Sequence, residues 1–214
     1  MEVTIIGAGN MGRGLGTRLV AGGNRVELLD RDPDEAASLA EELQASARDG
    51  GAKGGAAGDP ISGEVVMLAV PYDAAHSVIE HYGEQFEGKV VVDITNPVDF
   101  ESFDRLVTPP DSSAAEELAA KAPPGAKLVK AFNTTFASTL RDGQVAGQPP
   151  DVFIAGDDEG ANSAVAELAR AGGLNPIKAG PLRRARELER VGFLHMALQD
   201  TLGTGFGSAV KVIA

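Results

Sequence analysis

The sequence predicts an α/β fold with a doubly wound, mainly parallel sheet and a short C-terminal helical tail. Three observations carry that expectation. Short apolar runs alternate regularly with polar stretches of helical period, the pattern of a sheet covered on both faces. The chain opens on such a run, residues 3–6, which ends directly in the turn Gly7-Ala8-Gly9-Asn10-Met11-Gly12. Its 214 residues suit one domain of ordinary to large size, long enough to bury a three-layer core.

Taken in order, residues 3–6 form the first strand and residues 11–21 a helix stopped by Gly22-Gly23. Residues 25–29 form the second strand. A helix starting near Pro33, a residue suited to a first helical turn, carries Ala36, Leu39, Ala40 and Leu43 at 3/4 spacing. Residues 50–58 are almost all Gly and Ala and predict a loop around a short edge strand. Residues 65–70, closed by Pro71, read as a central buried strand followed by a helix over 73–81. Further strands are expected at 90–94, 127–132 and 152–155, with a helix over 159–171, giving roughly six or seven strands in all. After Gly180-Pro181 an amphipathic helix over 184–202 places Leu188, Val191, Leu194 and Leu198 on one face. The expected division is a dinucleotide-binding domain over 1–180 and a small helical segment over 181–214 that completes its cleft.

Composition narrows the function. A net charge of −12 opposes binding to nucleic acid, because phosphate contacts would work against the field of the whole molecule. No apolar stretch approaches the roughly 20 residues needed to cross a bilayer, and no basic segment precedes the first strand, so the expectation is a cytoplasmic protein without a membrane partner. With no cysteine there is no thiolate metal site, cysteine nucleophile or cysteine-ligated cluster, and redox chemistry must come from a bound organic cofactor.

Chemistry begins at the glycine turn. Gly7 permits a tight turn, Gly9 lets backbone approach a pyrophosphate, and Gly12 allows close packing of helix on strand, while the helix N-terminus offers free N–H groups to the anion. The motif follows a strand, opens a helix, and precedes Asp30 by 18 residues counted from Gly12, which is the context of the Rossmann dinucleotide-binding fold. Gly14 and Gly16 are expected to serve close packing against the sheet. Asp30 and Arg31 pull in opposite directions: a carboxylate suits the ribose 2′-hydroxyl of NAD, a guanidinium the 2′-phosphate of NADP. Spacing alone leaves both open.

The reactive half of the cofactor belongs at the carboxyl ends of the other strands. Val70-Pro71-Tyr72, Thr95-Asn96-Pro97 and Asn133-Thr134-Thr135 stand there, and none forms a proton-transfer constellation. Hydride transfer between two organic rings needs stacked positioning and no protein acid or base at the reacting carbons. The same segments also suit plain strand-capping turns. His76, His81 and His195 are too scattered to suggest a metal site, and packing is the expected role of His195. Asp157-Asp158-Glu159 reads as a helix start. Arg183, Arg184 and Arg186 with Glu187 and Glu189 read as a solvated helix face.

The residues resemble those of a known family along the whole chain. The opening VTIIGAGNMGRGLGTRL, the strand end MLAVPY, KAFNTTFAS, IAGDDE, and above all NPIKAGPLRRARELE and the closing GTGFGSAVKVI are similar to the NADP-dependent reductases of the deazaflavin coenzyme F420. The resemblance implies reversible hydride transfer between NADP(H) and F420 by a homodimer. It implies that Gly7, Gly9, Asn10 and Met11 hold the pyrophosphate, Arg31 the 2′-phosphate, and Val70 and Pro71 the inner face of the cofactor. Asn133 and Thr134 would flank the nicotinamide, and Gly205, Phe206 and Gly207 would lie near the deazaflavin. Strand two departs from the family pattern, ending in Leu29-Asp30-Arg31-Asp32 where small polar and basic residues are usual. Two other functions fit the N-terminal half: a reductase of another acceptor, such as an imine or a flavin- or metal-linked centre, and a non-catalytic dinucleotide sensor.

Overall fold

The computed structural model describes residues 1–47 and 49–213. Strand β1 (Glu2–Ile6) buries Val3, Ile5 and Ile6, side chains that point to both faces, as a strand sandwiched between helical layers must. After it come helix α1 (Asn10–Ala21), β2 (Arg25–Asp30), α2 (Pro33–Ser46), β3 (Gly51–Ala56), β4 (Val65–Leu68), α3 (Tyr72–Tyr82) and β5 (Val90–Asp93). The second half contains α4 (Ala114–Lys121), β6 (Lys127–Lys130), α5 (Ala137–Asp142), β7 (Asp151–Gly156), α6 (Glu159–Ala171), β8 (Asn175–Gly180), α7 (Ala185–Ala197) and α8 (Gln199–Leu202).

The strands form one sheet of eight, in the order β3-β2-β1-β4-β5-β6-β7-β8, so the expected count of six or seven is low. All neighbours are parallel except β6 and β7. Chain order runs outward from β1 to one edge and from β4 to the other. The carboxyl ends of β1 and β4 therefore flank a crevice that neither half's crossover helix covers, which is where ligands bind in open α/β sheets.

The edge strand β3 has six residues of Gly, Ala and Lys, and its composition has a packing reason. A Cβ on Gly54 would lie 2.6 Å from the Ala36 carbonyl carbon, so α2 rests directly on the strand backbone. Gly14 and Gly16 are packing glycines too, but against helices and not the sheet. A Cβ on Gly14 would meet Leu140 of α5 at 3.0 Å, and one on Gly16 would meet Leu43 of α2 at 2.5 Å. Two apolar layers result. Leu15, Leu19, Leu39, Leu43, Val165 and Leu168 cover one face, and Ile79, Tyr82, Phe86 and Leu118 the other.

The tail departs most from expectation. The helix over 184–202 is broken at Leu198 into α7 and α8, and α7 buries Ala185, Leu188, Glu189, Gly192 and His195. Of the four apolar residues expected on one face, only Leu188 is buried; Leu194 is 59% and Leu198 40% exposed. Polar side chains win the inner face because each has partners waiting in the sheet, and Gly192 lets the helix come close. A Cβ there would lie 2.6 Å from Asn96 Oδ1.

Helix starts follow ordinary capping chemistry. Asp32 accepts N–H bonds from Asp34 and Glu35 with Pro33 in the first turn, and Asp158 accepts from Ala161 at 2.7 Å. Replacing the latter cap, Asp158→Ala, is expected to cost about 1 kcal/mol and to lower Tm by roughly 2–4 °C in a chain of this size, measured by calorimetry.

Candidate functional site

Gly7 has φ +112°, its N–H donates to the Leu29 carbonyl at 2.8 Å, and a Cβ would fall 2.3 Å from the Ala69 carbonyl oxygen. Only glycine fits between the ends of β1 and β4 in that conformation. Gly12 is equally constrained, with a Cβ position 2.0 Å from the Gly7 oxygen. Gly9 is different. Nothing in the chain lies within 4 Å of where its Cβ would be, and as the N-cap of α1 it supplies no side-chain hydrogen bond to the helix. The open space faces unspent N–H groups at a helix N-terminus, the arrangement that receives a phosphate anion.

Two cavities meet above this turn and share Gly9, Ala69, Val70 and Pro71 in their walls. One, of about 700 Å³, reaches along Gly7 to Asp30, Arg31 and Glu35 beyond the end of β2. The other, of about 410 Å³, lies over the ends of β4, β5 and β6, where Tyr72, Asn96, Asn133, Phe136 and Phe206 line it together with Asn10 and Met11. The cleft thus gathers most of the residues singled out in the sequence. Gly12 lies beneath the turn, Thr134 stands behind Asn133, and Gly205 and Gly207 bracket Phe206 outside the cavity wall. The Tyr72 hydroxyl donates to Glu117, and burial, reinforced by that carboxylate, pushes its pKa up.

The inner cavity has unsatisfied polar groups around it. Thr95 Oγ1, Asn133 Oδ1, Thr134 Oγ1 and Thr135 Oγ1 are buried and partnerless among the described residues. Such groups cost about 1–3 kcal/mol each when left dry. Thr95, Asn133 and Thr135 line the cavity, where an amide-bearing planar ligand, such as the nicotinamide of a dinucleotide, would give a partner to any of these groups that turns toward it. Asn133 itself is fixed: its Nδ2 donates to Asn96 Oδ1 and to the Leu188 carbonyl, both at 2.9 Å. Phe132, the residue before it, sits at φ +62°, a left-handed conformation that costs free energy in a bulky residue and clusters at functional sites.

Beneath these groups lies a feature that sequence reading missed. Lys130, at the end of β6, is wholly buried, and its ammonium donates to Asp93 Oδ2 at 2.7 Å, the Thr95 carbonyl at 2.6 Å and approaches Glu189 Oε1 at 2.8 Å. Glu189, expected on a solvated face, comes from α7 and also accepts the first N–H groups of α4, Ala114 at 3.1 Å and Ala115 at 3.4 Å. Burial disfavours the ammonium, but the two carboxylates outweigh it and hold the Lys130 pKa above its ordinary value. The same burial raises Glu189, aided by Asp93 and opposed by Lys130. A lysine inside the run KLVKAF was the available signal.

His195 ties the tail to the site. It stacks on Phe136 at 4.2 Å, its Nδ1 lies 3.2 Å from the Thr134 carbonyl and its Nε2 2.8 Å from Ser208 Oγ. The carbonyl can only accept, so Nδ1 carries the proton and Nε2 accepts from the serine. Ser138 Oγ donates to the Phe206 carbonyl at 2.5 Å, and the Phe206 ring packs edge-on against Phe136, which presents it at the cavity mouth. Burial lowers the His195 pKa, with the Thr134 carbonyl opposing. The unfolded chain therefore takes up the proton first as pH drops below the ordinary value of 6.5, and stability present above that pH is lost on the acid side. His195→Asn keeps a donor for Thr134 and is expected to shrink the acid-side loss seen in urea titrations across this range; an unchanged loss would place its origin elsewhere.

The sequence pattern of a family described as NADP oxidoreductase, coenzyme F420-dependent, matches residues 2–97. Metalloreductase STEAP3 of Rattus norvegicus is 34% identical over 191 residues, a match that takes in 89% of this chain and spans only 36% of the length of that protein. A solved structure from Arthrobacter sp. FB24, provisionally assigned as an F420-dependent NADP-reductase, superposes with a TM-score of 0.84 at 27% identity over 99% of each chain. The F420-dependent NADP reductase of Methanothermobacter marburgensis is 33% identical over 203 residues, 89% of either chain. Because that enzyme is matched along most of both chains and not over the glycine-turn half alone, this chain belongs to the family of F420-dependent NADP reductases.

Proposed function

We propose that this protein transfers a hydride reversibly between NADP(H) and the deazaflavin coenzyme F420. The observation that carries the reading is the joined cleft: a helix N-terminus open at Gly9 leads without a break into a second cavity over the ends of β4, β5 and β6, whose wall includes Thr95, Asn96, Asn133 and Phe206. Gly7, Gly9, Asn10, Met11 and Gly12 receive the pyrophosphate, and the exposed Arg31 receives the 2′-phosphate. Val70 and Pro71 support the inner face of the dinucleotide. Asn96, Asn133 and Thr134 orient the nicotinamide, the side-chain oxygens of Asn133 and Thr134 having no partner among the described residues. Tyr72, Phe206 and the flanking Gly205 and Gly207 border the second ring.

The two coenzymes supply the chemistry, one giving and the other accepting the hydride. The chain's part is to hold their faces together and keep water out, and none of the site residues is assigned as an acid or base at the reacting carbons. The tail, helical as far as Leu202, completes the cleft. The reading includes a cytoplasmic homodimer. No helix among the described residues is long and apolar enough to cross a membrane. Leu194, Leu198, Leu202, Val212 and Ile213 form an exposed apolar set on the tail that suits a second copy.

The likeness to a metalloreductase favours one rival, a reductase of a flavin- or metal-linked acceptor. Mixing the protein with NADPH and oxidised F420 separates the two: the reading expects loss of the deazaflavin's visible absorbance, and dinucleotide binding without bleaching would leave the rival. Gly9→Ala adds a methyl where the chain has room and a pyrophosphate does not. It is expected to leave the Tm of the free protein unchanged and to weaken NADPH binding by about tenfold or more, the scale of one lost charge-assisted contact, read by calorimetry.

A further inference from the structure

The adenosine end of the cleft is built for two kinds of ligand. Asp30 is half-buried at the end of β2; its Oδ2 accepts the Ala8 N–H at 2.7 Å and its Oδ1 the Asp32 N–H at 3.0 Å. Those bonds pin the carboxylate beside the glycine turn, inside the larger cavity, and leave each oxygen a further lone pair. A fixed carboxylate with spare acceptor capacity at this position suits a ribose 2′-hydroxyl.

The surroundings give little help to a 2′-phosphate. The nearest helix N-terminus, that of α2, is occupied by the chain's own anion: Asp32 accepts from Asp34 N at 3.0 Å and Glu35 N at 3.4 Å. Asp34 and Glu35 add two more carboxylates in the same turn, so four acidic side chains, Asp30 among them, border the place where the phosphate would go. Arg13 at the rim is spent on Glu42. Arg31 is exposed and its side chain makes no hydrogen bond or ion pair with any described residue.

We propose that this subsite takes NAD(H) as well as NADP(H), with Asp30 receiving the 2′-hydroxyl of the one and Arg31 alone receiving the 2′-phosphate of the other. The proposal rests on the function read above for the identity of the dinucleotide class, and extends it to a second coenzyme. A lone exposed guanidinium among carboxylates gives a contact that salt screens easily, so the NADPH mode weakens more with ionic strength than the NADH mode.

The test is direct titration of NADH and NADPH, without F420, into the full chain and into Arg31→Ala and Asp30→Asn, at low and high salt. Asn at position 30 keeps a carbonyl oxygen for the Ala8 N–H, and Arg31 is exposed, so folding survives at least Arg31→Ala. Expected are dissociation constants for the two dinucleotides within about thirtyfold of each other, a loss of about tenfold or more for NADPH in Arg31→Ala with NADH held within about threefold, and the converse in Asp30→Asn. A gap above about thirtyfold in either direction, or Arg31→Ala weakening both equally, overturns the proposal while the hydride-transfer reading stands. Failure of both dinucleotides to bind overturns the two together.

Discussion

The buried ammonium of Lys130 is the contact on which the geometry of the site depends. It joins three parts of the chain that are distant in sequence: Asp93 and the Thr95 carbonyl at the end of β5, its own strand β6, and Glu189 on α7. Glu189 in turn holds the start of α4. An ion triad of this kind gains little over an apolar core of the same shape, but removing one member leaves charges stranded without water. Its value here is positional. Thr95, Asn96 and Asn133 stand directly above it, so the atoms that frame the inner cavity are set by where Lys130 pulls the two strand ends and the tail helix.

The rest of the tail follows from that anchor. With Glu189 drawn inward and Gly192 allowing backbone close to Asn96 and Asn133, α7 turns His195 toward Thr134 and Phe136 and turns Leu194 and Leu198 outward. The loop after α8 is then fastened by Ser208 to His195 and by Ser138 to Phe206. A cleft built mostly from the sheet ends, to which the tail adds Met196 and Phe206, can hold two flat rings face to face without any group that itself transfers a proton. The dinucleotide half owes nothing to the tail: it depends on sterics at Gly7 and Gly12 and on the open side of Gly9.

What was legible in the sequence follows the same division. Strands β1, β4 and β5 are short apolar runs whose period allows one reading, and the glycine turn is recognisable because strand, turn and helix succeed one another within a dozen residues. Helices α4 and α5 escaped, being short and weakly apolar, although Ser113, whose hydroxyl accepts the Glu116 N–H, is an N-cap residue that marks the start of the first. Strand β3 was hard to read because its glycines answer to a helix lying on them and not to a strand's usual need for side chains. The charge of Lys130 was passed over and that of Glu189 misjudged because a sequence does not reveal whether a charge meets water or another charge. Leu188 and Leu194 read alike for the same reason, since helical period gives a face but not the direction in which it points.

Native-state amide exchange on Lys130→Met tests the anchoring role most directly. Methionine fills similar volume and leaves Asp93 and Glu189 uncompensated, so a loss of about 3–5 kcal/mol is expected. Exchange should accelerate across α7 and the start of α4, while α1 and β1 keep their protection and NADPH binding persists. Unchanged protection of α7, with stability lowered by less than about 1 kcal/mol, would contradict the account, because a triad that positions nothing would be replaceable at the cost of an ordinary surface pair.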